Sequence, residues 1–372
     1  MISYYIYLLG ALASSALSLA TITPRNSTTP KSWMGTNLYY LQGLSTADQD
    51  AYIAAMADDG VKVVRVWVNG QTAGACQKGS LIAADVPALE TAALGEFNNG
   101  TLDALDGVLV KLEDKGIKAL ISPHDANSLL GDYRADIYYD KFGSSGFYED
   151  EDAFAAYDAR LSHILNYRGA SSGKIWKEWS EAIMGFDLQN EPMTANTTAC
   201  TNNDERDWLC GRATHLRSEL GADNPIIVSS GGIGGDYSHE CTFISAATEC
   251  AALDAIAVHR YASVPGYWAS NAETWLGQAN GKLIYVEEWG INAASYDQSS
   301  AFPSEVEDMN SVGLPSLYWE LILPASTACP YNAADDSGDQ FGIVYDSGVN
   351  LSGPISEATK SAALQDWSAI IA

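Results

Sequence analysis

Two short stretches end apolar runs with carboxylates: GFDLQNEP, residues 185–192, which carries Glu191, and KLIYVEEWG, residues 282–290, which carries Glu288. A charge at the end of a buried strand is costly unless something there needs it, and proline cannot continue a central ladder. Two carboxyl groups flanking one bond, one protonated as a general acid and one ionised, are what glycosidic cleavage requires, and a separation of ~5–5.5 Å goes with retained configuration. Other apolar runs end in side chains that would serve such a pair: Arg65, His124, Asn190, His259, Tyr261 and Trp319. Arg65 and Tyr261 near Glu288 would favour its ionised form, whereas a drier pocket lined by Trp319 would favour a protonated Glu191. Asn190 could bond a sugar hydroxyl, and Tyr39, Trp67, Trp289 and Trp319 offer flat faces for sugar rings. Strand alternation makes Glu287 the neighbour to exclude, because it points away from the mouth if Glu288 points in.

These residues need strands that converge at one end. Short β-branched or aromatic runs occupy residues 32–40, 61–68, 117–124, 183–192, 224–232, 253–261, 282–290 and 314–322. Amphipathic stretches lie between them, such as the one opening at Ser45, a plausible N-cap, and stopping at Gly60. Further helices are expected from Thr101, from Asp150 to Tyr167, and from Ile355 to Ile371. Near-continuous apolar strands alternating with helices describe a parallel sheet buried on both faces, and eight of them predict an α/β fold, a single-domain (β/α)8 TIM barrel with its site at the strand C-termini. An open doubly wound sheet would want a glycine-rich turn after the first strand, and none is present. The glycines of SSGGIGG, residues 229–235, read as a loop that lets backbones approach closely rather than as a phosphate cradle.

The ordered set NEP after the fourth strand, HRY after the sixth, EEWG after the seventh and YWE in the eighth resembles glycoside hydrolase family 5 of clan A. The resemblance runs from Trp33 to the C-terminal helix. It implies retaining double displacement on β-linked sugars, with Glu191 as acid/base and Glu288 as nucleophile. Arg65, His124, Asn190, His259, Tyr261 and Trp319 would complete the site, and no metal or organic cofactor is expected. The GTN opening strand, IMGFDLQNEP and the EE-aromatic-Gly strand look most similar to fungal endo-β-1,4-mannanases. SPHDAN, with His124, departs from that pattern toward the cellulase and exoglucanase branches. Endo-β-1,4-mannanase is therefore the expected activity, and a β-glucanase, endo or exo, the alternative. A carbohydrate-binding barrel without turnover is the reading from another class, and the presence of both carboxylates speaks against it. The acidic, tyrosine-rich insertion from Asp125 to Asp152 reads as a long loop shaping the outer subsites.

Composition agrees with an exported globular protein. Of 372 residues 47% are hydrophobic and 18% charged, which is ample for a sizeable core and excludes intrinsic disorder. A net charge of −27 with no Lys/Arg cluster excludes nucleic acid and an anionic membrane surface as main partners and favours a neutral polysaccharide or oligosaccharide. Residues 1–20 are uncharged and apolar and end in small residues, as a cleaved signal peptide does, so secretion without stable membrane association is expected. Residues 21–32 form a short Ser/Thr/Pro leader, and residues 33–372 the catalytic domain. Sequons stand at Asn26, Asn99, Asn196 and Asn350. Of the ~15 connectivities six cysteines allow, proximity predicts Cys200 with Cys210 and Cys241 with Cys250, leaving Cys76 for Cys329. No Cys-x-x-Cys spacing points to zinc, and nothing in the sequence asks for more than a monomer.

Overall fold

Eight of the short runs form strands, and nearly every strand residue is buried: β1 (Met34–Asn37), β2 (Val63–Trp67), β3 (Lys118–Ser122), β4 (Ile183–Asp187), β5 (Ile227–Ser229), β6 (Ala255–His259), β7 (Leu283–Trp289) and β8 (Ser316–Tyr318). In this computed structural model they pair in parallel, each with its sequence neighbours, and β1 pairs with β8 to close the barrel. The structure describes residues 32–132, 134–194, 204, 206–232, 245–261, 264–335, 339–360 and 365–371. The expected signal peptide, most of the leader, Asn26, Asn196, Cys200 and Cys241 lie outside these residues.

Local chemistry fixes the helices. In α1 (Thr46–Asp59) the Ser45 side chain accepts from the Asp48 N–H, and Gly60 ends the helix in a left-handed conformation, φ 84°. Tyr52, Ile53 and Met56 turn its inner face to the barrel. Helix α2 spans Gly100–Asp114, and α3 (Ile137–Glu149) is capped by Asp136, whose side chain accepts from the Tyr138 and Tyr139 N–H groups. Asp150 caps α4 (Glu151–Leu165) in the same way. Then follow α5 (Trp208–Leu220), α6 (Ser245–Glu249), α7 (Tyr267–Gln278) and α8 (Gln298–Ser311). The single closing helix expected from Ile355 is instead two short ones, α9 (Ser352–Ala358) and α10 (Ser368–Ile371). No helix among the described residues is long and apolar enough to cross a membrane.

Inside the barrel, Val63, Leu120, Ile227 and Leu317 form an apolar layer closed at the N-terminal end of the strands by Trp33 and Trp367, whose rings meet edge to face at 5.5 Å. This filled interior leaves the C-terminal mouth as the place for polar side chains.

Two expectations need correction. The insertion after β3 is not a loop: a 3-10 helix, Ala126–Leu130, leads to α3, whose Tyr138, Phe147 and Tyr148 are buried. The Phe147 ring packs on His124, Tyr157 and Trp208, so aromatic burial orders the segment. Cys76 does bond Cys329, but Cys210 bonds Cys250, which excludes both short-range pairs. Helix α5 carries Cys210 to the segment after α6, so packing between neighbouring βα units, and not closeness in sequence, selects the partner.

Candidate active site

The strand ends meet at a cleft of about 1140 Å³. Its floor is built on Arg65, fully buried on β2, a position a guanidinium holds only when surrounded by acceptors. Its Nε donates to Asp187 at 2.9 Å, one terminal nitrogen to Glu288 at 2.6 Å and to Asn37 at 3.3 Å, and the other to Asn190 at 2.7 Å. The latter also lies 3.3 Å from Glu287. Burial would lower the Arg65 pKa, but Glu287, Asp187 and Glu288 raise it above its ordinary value.

Glu191 stands four residues past β4 with φ 47°, a left-handed backbone that a residue before proline adopts only at a cost. Its N–H donates to the Gly231 carbonyl at 2.9 Å. At Gly231 any Cβ would come within 1.8 Å of the Gln189 carbonyl oxygen, so the glycines after β5 do permit close backbone approach. Asn190 is braced between Arg65 and Asp125, to which its Nδ2 donates at 2.8 Å, and Asn127 Nδ2 donates to Glu191 Oε2 at 3.1 Å.

On β7 the register against β6 slips between Val258 and His259, so that Glu288 stands opposite His259. Tyr285 and Glu287 occupy the interior face, and the irregularity turns Glu288 inward as well. Glu287 therefore lies off the cleft, away from the mouth as expected, but buried inside the barrel against Arg65 and His259. Trp289 turns outward and stacks on Phe302 at 5.4 Å, so it offers no face to the cleft, contrary to expectation. Tyr39, Trp67 and Trp319 do line it, with Tyr39 and Trp319 parallel at 5.5 Å and Trp319 Nε1 donating to Asp339 at 2.5 Å.

A carboxylate oxygen of Glu191, a ring nitrogen of His259 and a carboxylate oxygen of Glu288 all lie within 4.8 Å of one another. Tyr261 donates to Glu288 Oε2 at 2.9 Å. His259 presents Nδ1 to Glu191 at 3.2 Å and Nε2 to Glu287 at 2.8 Å. His124 sits farther out, its Nε2 2.7 Å from Asp136 and its Nδ1 2.8 Å from Gln189. The structure thus brings Arg65, Asn190, Glu191, His259, Tyr261 and Glu288 into direct contact with one another, with Trp319 and His124 on the cleft walls. Glu191, His259 and Glu288 are also the described residues that could hold a metal ion, but Arg65 already supplies a cation to Glu288.

Electrostatics reverse the expected protonation of the free pair. Burial drives Glu288 up to about 7 despite the attraction of His259 and Arg65. Burial also raises Glu191, but hydrogen bonds and charge from His259, with the Asn127 bond, outweigh it and leave Glu191 below the ordinary glutamate value. Beneath them burial and the adjacent Glu287 raise Asp187 well above the usual range, whereas in Glu287 the pull of Arg65 and His259 overcomes burial and holds it at about 2. Asp187, Asn37, Asp125 and Asn127 escaped the sequence reading as site residues, and Glu287 was considered there only to be excluded. An aspartate within the apolar run IMGFD, and an arginine within VKVVRVWV that must be neutralised, are the signals that would have found the first.

The family model described as Cellulase (glycosyl hydrolase family 5) matches residues 24–322. Among solved structures, an endo-1,4-β-mannanase from Rhizomucor miehei is similar with TM-score 0.64 and 18% identity, over 90% of this chain and 96% of that one. An endo-β-1,4-mannanase from Thermotoga petrophila gives TM-score 0.66 and 20% identity, over 90% and 77%. An endoglucanase from Pseudomonas stutzeri gives 0.57 and 13%, over 90% and 96%. At these identities the likeness speaks for the fold. No curated protein matches the chain significantly.

Proposed function

The chain belongs to the cellulase family, glycosyl hydrolase family 5, and from that premise we propose that it is a secreted enzyme hydrolysing a neutral β-linked polysaccharide with retention. The observation that carries this reading is that a carboxylate oxygen of Glu191 and one of Glu288 lie within 4.8 Å of each other, which is nearer the ~5–5.5 Å carboxyl spacing of retaining enzymes than the ~6.5–9.5 Å of inverting ones.

In the first step the Glu288 carboxylate attacks the anomeric carbon while Glu191 gives its proton to the departing glycosidic oxygen. A glycosyl ester forms on Glu288 and the leaving sugar departs. Water then loses a proton to Glu191 and displaces Glu288, so that both carboxyls return to their starting states. The productive form has the proton on Glu191, whereas the free protein favours Glu288. A sugar ring across the pair corrects this, because it covers the Glu191 side chain, 25% exposed, and so raises its pKa. Positive charge developing at the anomeric carbon favours the Glu288 carboxylate at the same time. Arg65 and Tyr261 aim Glu288, while Tyr39, Trp67 and Trp319 offer faces for sugar rings.

β-1,4-Mannan, cut internally, is the first substrate. The phrasing of the opening, fourth and seventh strands supports it, as does the fold shared with the Rhizomucor and Thermotoga mannanases. His124 at the cleft wall favours β-glucan as the second reading. The test is reducing-sugar release by the protein and its Glu288→Gln variant on mannan, galactomannan, cellulose, xylan, β-1,3-glucan, β-1,6-glucan and β-galactan. Release from mannan, lost by on the order of 10³-fold or more in the variant, is expected. Equal activity in the two proteins refutes the nucleophile, release from a glucan alone moves the reading to β-glucanase, and silence on every polymer favours a binding protein.

A further inference from the structure

Glu287 is the carboxylate that this reaction leaves without a task. It is wholly buried, yet the Tyr285 hydroxyl donates to its Oε1, Arg65 lies 3.3 Å away, and His259 Nε2 sits 2.8 Å from its Oε2. Tyr285 is itself held by Ser229 at 2.6 Å. The other ring nitrogen of His259, Nδ1, lies 3.2 Å from Glu191 Oε1 and 3.5 Å from Glu288 Oε2. Both nitrogens therefore face carboxylate oxygens. A neutral imidazole has one N–H and one lone pair, and a lone pair turned toward a carboxylate is repelled, so the doubly protonated ring is the form that fits both sides. The ring lies directly against the Gly232 backbone: a Cβ built there would meet its Cδ2 at 2.0 Å, so only glycine fits beside it.

We propose that Glu287 is a positioning residue acting through His259: it holds the Nε2–H and thereby fixes the Nδ1–H between Glu191 and Glu288. The inference rests on the reading of those two as acid/base and nucleophile. In that cycle one of the pair is ionised at each stage, Glu288 before attack and Glu191 once Glu288 is esterified. A single N–H within reach of both serves each carboxylate in turn, without rearrangement. Arg65 and Asp187 below, and Tyr261 above, are the remaining titratable groups around this assembly, and only Arg65 among them adds positive charge. Glu288, Glu191 and Glu287 together hold the second proton on this buried ring, and Glu287 is the one of the three that lies on its Nε2 side.

The experiment is histidine-ring NMR titration of the full-length protein and of Glu287→Gln, with the His259 signal assigned by its loss in His259→Ala. The wild-type ring is expected to stay doubly protonated well above the ordinary histidine value of about 6.5, and the ring in Glu287→Gln to lose its second proton at a lower pH, closer to that value. On a hydrolysed polysaccharide, Glu287→Gln should lower kcat by about 10- to 100-fold, the loss that follows when the carboxylate behind a metal-bound histidine is removed, with KM within about twofold. A residue that merely filled space would lower Tm and leave both the titration and kcat unmoved, and that result overturns the proposal. Should the variant not fold, the wild-type curve decides: an ordinary His259 titration near about 6.5 overturns it equally. The titration needs no turnover, so a protein silent on every polymer still tests this role, and that silence counts against the proposed function alone.

Discussion

Glu191 and Glu288 together carry one proton between the lowered pKa of the first and the value of about 7 of the second. Double displacement needs one proton on the pair, whichever carboxyl holds it at rest, because binding can move it. Below the Glu191 value both are protonated and no nucleophile exists; above the Glu288 value both are ionised and no acid exists. We therefore expect kcat/KM to be bell-shaped, with an alkaline limb near pH 7 and an acid limb below the ordinary glutamate value of 4.5. A pH–rate profile on the hydrolysed polymer checks this, and a rate still climbing past about pH 8 would contradict it. Much of the cluster could be read in the sequence, because polar side chains ending apolar runs stand out. Its protonation could not, since that depends on how far each carboxyl is buried and on where His259 points. Asp187 and Asn37 were missed for a related reason: they serve Arg65, not the cleft, and only the three-dimensional count of acceptors around a buried guanidinium reveals them.

At the scale of elements, the eight strands were legible from their β-branched runs, and α1 from its cap and its stop. What the pattern hid were departures from period. The slip between β6 and β7 turns two successive glutamates inward, where a period-2 argument places only one. The insertion after β3 is long and acidic and reads as a loop, yet three buried aromatic residues hold it as helix, kinked at Gly143 with φ 66°. Helix α1 carries a fault of its own at its end. Asp59 is buried there with Asp58 and Asp346 nearby, and one of its carboxylate oxygens has no hydrogen-bond partner. Burial first, then those two charges, push its pKa to about 6, and a negative charge at a helix C-terminus also opposes the dipole. A carboxyl raised on folding adds stability that is complete below its unfolded value of 3.8 and is lost as pH rises through about 6. Asp59→Asn should therefore stabilise the protein on the order of 1–2 kcal/mol at pH 7 and have no effect near pH 4. Denaturant unfolding of both proteins at the two pH values measures it, and an equal gain at both would show that the carboxyl does not titrate as described.

For the molecule as a whole, the disulfides show why spacing along the chain misled. Cys200–Cys210 and Cys241–Cys250 were the shortest closures available, but a barrel sets its contacts by which βα units are neighbours, so Cys210 reaches Cys250 across 40 residues. The longer bond, Cys76–Cys329, spans 253 residues and ties the segment after β2 to the segment after β8, across the seam where the barrel closes. It also steadies one side of the cleft. Gln77, next to Cys76, accepts from the Tyr39 hydroxyl at 3.0 Å, and Lys78 pairs with Asp339 at 3.2 Å, the residue that holds Trp319. Removing this bond should act on two scales together. The unfolded chain regains loop entropy worth up to about 5 kcal/mol, and the Tyr39–Trp319 wall loses its tether, while the carboxyl pair, held from β4, β6 and β7, keeps its geometry. The Cys76→Ser/Cys329→Ser double variant is therefore expected to melt several degrees lower and to show a raised KM with kcat little changed. Thermal unfolding and steady-state kinetics on the same polysaccharide separate the two effects. A fall in kcat at unchanged KM would mean that the bond supports the reacting groups themselves, and an unchanged Tm would mean that contacts across the seam close the barrel without it.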